Sequence, residues 1–168
     1  MFYETTGFEI TDSLESNWLV IKEELIRLQP KNFMLWPEKF LYNHGWNVFG
    51  LYAFGRKLED NCRLCPETTK LVESIPGITT AGFSSLAPET HIVPHVGYSK
   101  AVLRCHLGLI VPNDCGIRVG SQTTKKWTEG KCLIFDDTVE HEAWNRSHHP
   151  RIVLLIDFKK ANFQSCLN

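Results

Sequence analysis

Val102-Leu103-Arg104-Cys105-His106-Leu107-Gly108-Leu109-Ile110-Val111 is the stretch on which the fold turns. In an extended strand successive side chains point to opposite faces. One face then carries Leu103, Cys105, Leu107, Leu109 and Val111, all apolar. The other carries Val102, Arg104, His106, Gly108 and Ile110. A strand this hydrophobic is too apolar to be a solvent edge, so Arg104 and His106 point side by side into an interior. Burying a guanidinium beside an imidazole is costly unless an anion meets them. That anion is either a ligand or an internal carboxylate, with Asp136 and Asp137 as possible partners.

The surroundings repeat the pattern. From about Thr79 short β-rich runs follow one another: Ala81 to Leu86, His91 to Val96, Gly116 to Val119, Lys131 to Phe135 and Arg151 to Phe158. Pro88, Gly97, Pro112-Asn113-Asp114, Gly120, Gly130 and Pro150 punctuate them. Many short strands at close spacing predict an antiparallel sandwich or barrel. Upstream the period changes. Leu14, Trp18, Ile21, Leu25 and Leu28 recur at helical spacing, with N-cap options at Thr11, Asp12 and Ser13 and a stop at Pro30. Glu15, Lys22 and Glu23 occupy the other side, so this helix lies across a sheet. Trp46 to Phe54 reads as a strand within an aromatic stretch, and Pro66 to Ser74 as a short helix closed by Pro76-Gly77. The expected architecture is one domain over residues 1–168, mostly β. A helical and aromatic N-terminal layer, about 1–78, packs on one sheet of a two-sheet jelly roll, about 79–160.

At 168 residues and 43% apolar, the chain can build one core without staples. Its 18 basic and 19 acidic residues leave a net charge of −1, so no basic field exists to hold a nucleic-acid backbone. Six cysteines stand at Cys62, Cys65, Cys105, Cys115, Cys132 and Cys166. Only Cys62-Arg63-Leu64-Cys65 is closely spaced, and a zinc ribbon needs a second such pair. Two ordinary thiols are the favoured reading, with a local disulfide or redox motif as the alternative. The N-terminus lacks the basic and apolar regions of a signal peptide, and no apolar run is long enough to span a membrane. A cytoplasmic chain with no membrane contact is therefore expected, and the Asn145-Arg146-Ser147 sequon carries no weight there.

The histidines set a further pattern. His95-Val96-Gly97 is followed, several strands later, by His141 in Val139-Glu140-His141-Glu142. A non-haem iron oxygenase usually offers His-x-Asp/Glu and a distant His. Here both histidines are present and glycine stands in the carboxylate position. Either this is no iron site, or it is one with a protein ligand fewer. Arg151 opens another buried run, Arg151 to Asp157. Alone it reads as a rim salt bridge. Two inward arginines with two separated histidines suggest a metal held by imidazoles beside a small dicarboxylate. His44, His91, His148 and His149 read as ordinary histidines. Adjacent strand residues diverge, so Asp136 and Asp137 read as turn or supporting groups, not a shared site.

Taken in order, Thr90-His91-Ile92-Val93-Pro94-His95-Val96-Gly97, Leu103 to Leu109, Trp127-Thr128-Glu129-Gly130-Lys131, Phe135 to Asn145 and then Arg151 closely resemble the aspartyl/asparaginyl β-hydroxylase family. The resemblance covers roughly Trp46 to Phe158. It implies a double-stranded β-helix, the cupin-like jelly roll, that binds Fe(II) and 2-oxoglutarate and consumes O2. Members have glycine in place of the carboxylate ligand, as at Gly97. Carried over by position, His95 and His141 resemble the iron ligands at the catalytic centre. Arg151 and Ser84 resemble the pair that holds the distal carboxylate of 2-oxoglutarate. Arg104 and His106 resemble the contacts to its metal-side end, and Trp46 resembles the tryptophan that the family places beside the cosubstrate. The implied function is a dioxygenase that hydroxylates an unactivated carbon of an amino-acid-type or related substrate, small molecule or peptide. Membrane-anchored animal members carry a transmembrane segment and a helical repeat region, and neither pattern occurs in this sequence. The substrate stays open among protein residues, free or carrier-bound amino acids, nucleotides and acyl chains. Two other outcomes stay open too: halogenation through halide in the vacant coordination position, and a non-catalytic jelly-roll module that binds a small acid.

Overall fold

The structure, a computed structural model, describes residues 1–121 and 123–164. Its strands are β1 (Phe2–Tyr3), β2 (Met34–Leu35), β3 (Trp46–Ala53), β4 (Arg56–Lys57), β5 (Ile78–Leu86), β6 (Thr90–His95), β7 (Val102–Ile110), β8 (Cys115–Val119), β9 (Thr123–Lys125), β10 (Cys132–Phe135), β11 (His141–Asn145) and β12 (Arg151–Lys159). Its helices are α1 (Glu9–Ser16), α2 (Trp18–Arg27), α3 (Glu59–Leu64), α4 (Pro66–Glu73) and α5 (Lys160–Gln164). The larger sheet runs β1-β10-β7-β12-β5-β3-β2, with β4 on β3, and the smaller runs β6-β11-β8-β9. Neighbouring strands are antiparallel, which makes the expected jelly roll.

The alternation along β7 separates two cores. Leu103, Cys105, Leu107 and Leu109 face the helices and pack with Leu14, Ile21 and Leu25. Arg104 and His106 face the space between the sheets, beside Trp46, Ile117, Phe135 and Val153. The N-terminal layer does more than cover a sheet: β1 pairs with β10 and β3 with β5, so it also widens the larger sheet.

The single long helix expected from Leu14 to Leu28 is two. Asn17 breaks it at φ −110, ψ 11, and its amide Nδ2 donates to the Ser13 carbonyl at 2.8 Å. Thr11 is inside α1, and its hydroxyl donates to the Thr5 and Phe8 carbonyls. The helix at Pro66 forms as expected. A buried carboxylate holds its start: Glu24 accepts from the Glu67 and Thr68 backbone N–H groups, each at 2.8 Å. β3 ends in a two-residue turn, Phe54-Gly55, with φ of 51° and 79°. That is the left-handed pair a tight hairpin requires.

Cys62 and Cys65 are free and buried, as are Cys105, Cys115 and Cys132, and Cys166 lies outside the described residues. Burial pushes the Cys65 thiol up to about 12, which makes it inert as a nucleophile. Among the described residues no helix is long and apolar enough to cross a membrane.

Candidate active site

One cavity between the sheets, about 360 Å3 with its open mouth, is lined by Trp46, Ser84, His95, Arg104, His106, His141 and Arg151. These are all the residues that the sequence nominated. Ile92, Ile117, Phe135, Ala143 and Leu155 supply apolar walls.

The two histidines come from neighbouring strands, with His141 of β11 directly across from His95 of β6. Their ring centres are 4.3 Å apart. Imidazoles that share one metal through bonds of about 2.1 Å bring their ring centres to roughly this distance. Each donates Nδ1–H to a backbone carbonyl two residues before it: His95 to Val93 at 2.8 Å and His141 to Val139 at 2.9 Å. That fixes the tautomer and leaves the Nε2 lone pair of each for a metal. Burial lowers both pKa values, His141 to about 3, so both rings are neutral. A divalent metal fits this pair.

Arg151 is not at a rim. It is 2% exposed, no carboxylate among the described residues pairs with it, and its Nε finds no partner. Its Nη1 donates weakly to the Ser84 carbonyl at 3.4 Å, and its guanidinium lies over the Trp127 ring at 4.5 Å. Burial alone pulls its pKa down to about 9. Ser84 Oγ accepts from Trp46 Nε1 at 3.0 Å, and Trp46 stacks on Trp36 at 4.3 Å. Such a buried cation suits an anionic ligand.

Arg104 differs. The internal ion pair is what forms, and its main partner is neither Asp136 nor Asp137. Nε and Nη2 donate to Asp157 at 2.7 and 2.8 Å, with Asp137 further off at 3.4 Å. Asp157 lies directly across from Arg104 on β12. The guanidinium that lines the cavity is therefore already neutralised, unlike that of Arg151. His106 is 7% exposed, and burial, then the Arg151 and Arg104 charges, press its pKa well below the usual range.

One residue of the site escaped notice, and a second was read only as a supporting group. Trp127 donates Nε1–H to His106 Nδ1 at 3.2 Å; it stood in a motif, but its loop position hid its direction. Asp137 is fully buried, both oxygens lack hydrogen bonds, and burial raises its pKa to about 6 against the pull of Arg104. A Cβ on Gly97 would stand 2.1 Å from its Oδ2. The space of a side chain at 97 is thus filled by a carboxylate from the turn before β11. Asp136 plays the expected turn role, accepting from Thr138 N at 3.0 Å and pairing with Lys160 at 2.7 Å.

Fold and cavity together define a double-stranded β-helix whose two sheets enclose a histidine pair and a buried arginine. The chain belongs to the aspartyl/asparaginyl β-hydroxylase family: the family model described as Aspartyl/Asparaginyl beta-hydroxylase matches residues 15–161. An ornithine lipid ester-linked acyl 2-hydroxylase of Rhizobium tropici is 52% identical over 118 residues, 68% of this chain and 42% of that protein. The human aspartyl/asparaginyl beta-hydroxylase is 37% identical over 163 residues, 92% of this chain and 21% of that protein. The chain thus spans less than half the length of either relative. A prolyl hydroxylase from Trichoplax adhaerens, solved with a hypoxia inducible factor peptide, shares the fold at a TM-score of 0.61, with 12% identity over 91% of this chain and 82% of that one.

Proposed function

We propose that this chain is an Fe(II)- and 2-oxoglutarate-dependent dioxygenase that hydroxylates an unactivated carbon. The observation that carries the reading is Arg151: a guanidinium buried with no carboxylate partner among the described residues, in the same cavity as a tautomer-locked histidine pair. A small-acid binding module needs the arginine but not the histidines. His95 and His141 would hold the metal through Nε2. Arg151 would take the distal carboxylate of 2-oxoglutarate, and His106 its other end. Bound together, metal and cosubstrate supply the oxidising chemistry. The chain's own part is to orient them, balance their charge and keep water out. Trp46, Phe135 and Leu155 close the walls, and Arg151 offers a charge that only an anion can match.

For the substrate, identity to the ornithine lipid acyl 2-hydroxylase favours a small-molecule acyl chain, at the carbon next to a carbonyl, over a peptide. The apolar Ile92, Ile117 and Ala143 walls suit such a chain. The free thiols support the expected cytoplasmic setting.

The test is turnover in air with Fe(II), 2-oxoglutarate and acylated amino-acid lipids. Succinate should form in step with a substrate mass gain of one oxygen. Anaerobic Fe(II) and 2-oxoglutarate should give a weak visible charge-transfer band. Absence of both the band and succinate sinks the dioxygenase reading. A chlorinated product in the presence of chloride would favour halogenation.

A further inference from the structure

Gly108 shares the inward face of β7 with His106. A Cβ there would stand 2.3 Å from the Thr128 carbonyl oxygen, so glycine lets the loop over residues 126–131 lie against the strand. Gly108 N donates to the Lys131 carbonyl at 3.1 Å, and Gly130 N donates back to the Gly108 carbonyl at 2.9 Å. The helices hold the same loop from outside. Lys22 pairs with Glu129 at 3.2 Å and Lys131 with Glu15 at 2.8 Å. Gly130 sits under Trp18, whose indole would be 3.0 Å from an added Cβ. So fixed, Trp127 is 3% exposed, with its N–H on His106 and its ring face under Arg151.

An indole N–H donates and has no lone pair to offer. The His106 nitrogen it meets must therefore be an acceptor, and neutral His106 carries its proton on Nε2. That Nε2 is buried without a partner, like the Nε of Arg151, and both residues line the cavity.

We propose that Trp127 is a positioning residue, whose indole fixes His106 as the Nε2–H tautomer. The cavity then presents a neutral N–H donor and the Arg151 cation to a carboxylate ligand before that ligand arrives. One side chain sets both: its N–H aims His106, and its ring face seats the guanidinium. Preorganised donors of this kind spare the ligand the cost of arranging them. The inference rests on the 2-oxoglutarate reading for the ligand's identity, but not for the tautomer.

Trp127→Phe keeps the ring for Arg151 and deletes the N–H. Long-range proton–nitrogen correlation on the full metal-free chain, with 15N-labelled histidine, reads the tautomer directly. Wild type should show His106 as Nε2–H, and Trp127→Phe a mixture of both tautomers. A wild-type His106 protonated on Nδ1, or on both nitrogens, overturns the proposal. Calorimetry of the Zn(II)-loaded chain with 2-oxoglutarate should show about tenfold weaker binding in Trp127→Phe, the worth of one hydrogen bond, with Zn(II) affinity unchanged. Equal affinity and an unchanged tautomer also overturn it. A second pair does not need that variant to fold. His106→Gln places an amide near the Nε2 position and should hold 2-oxoglutarate within about threefold of wild type; His106→Asn places it near Nδ1 and should lose more than about tenfold. Equal losses count against the assignment. If wild type with Zn(II) binds no 2-oxoglutarate, the cosubstrate reading fails, while the tautomer measurement still decides the Trp127–His106 pairing.

Discussion

A guanidinium buried without a counter-charge is a standing cost to the fold. Arg151 bears that cost and Arg104 does not, because Asp157 neutralises it. Arg151→Met should therefore raise the stability of the ligand-free chain by about 1–3 kcal/mol while abolishing 2-oxoglutarate binding. An unfolding midpoint at or below wild type contradicts this. Gly97→Asp would write the usual His-x-Asp pattern into the sequence, yet Asp137 already fills the space. We expect a loss of about 1–3 kcal/mol from overpacking in urea denaturation, and no tighter Fe(II) binding in titration. Tighter iron binding at wild-type stability would show that the space is free. At this scale the sequence revealed which side chains point inward, because alternation along a strand is local. It did not reveal the Arg104 partner: Asp157 is 53 residues away, and only the β7–β12 register puts the two opposite each other.

Among the elements, those with a strong period were legible. The apolar stripe from Leu14 to Leu28 packs on the sheet as read, although Asn17 divides it in two. β11 was not legible as a strand. His141-Glu142-Ala143-Trp144-Asn145 has no β-branched residue, and it is extended because β6 and β8 pair with it on both sides. Tertiary pairing outweighed propensity there. α3, of six residues, is too short to show a period. The start of α4 depends on Glu24, which is 4% exposed and accepts two backbone N–H bonds and the Thr68 hydroxyl. Glu24→Ala should cost about 2 kcal/mol, since it strips a charged cap from buried donors. The check is urea denaturation beside 2-oxoglutarate calorimetry: stability falls and affinity per folded molecule holds. Stability within error of wild type would remove the cap from the account.

Across the whole molecule, the layering and the jelly roll followed from where short alternating runs replace a helical period. The pairing of β1 and β3 with the larger sheet did not: β1 has only two residues, and β3, although legible as a strand, carries no local sign that β5 is its neighbour. Buried titrating groups give the metal-free chain a pH dependence. His141 titrates near 6.5 when unfolded and near 3 when folded, so its stability contribution, full above about pH 6.5, is lost as pH falls toward 3. His95 and His106 shift in the same direction. Asp137, raised from 3.8 to about 6, opposes them by costing stability as pH rises through that interval. With three imidazoles against one carboxylate, urea stability should rise between about pH 4 and pH 7. A maximum near pH 5 would mean that Asp137 dominates.

The grip of α1 and α2 on the loop that carries Trp127 bears on how this domain can be cut and joined. Neither helix lends a side chain to the cavity lining, yet Lys22, Glu15 and Trp18 hold its roof. A boundary drawn after α2 would spare every residue assigned to metal or cosubstrate and still leave the cavity unroofed. The strands depend on the helices for that roof, and a chimera that aims to move the proposed chemistry to another protein should carry residues 9–27 along with them.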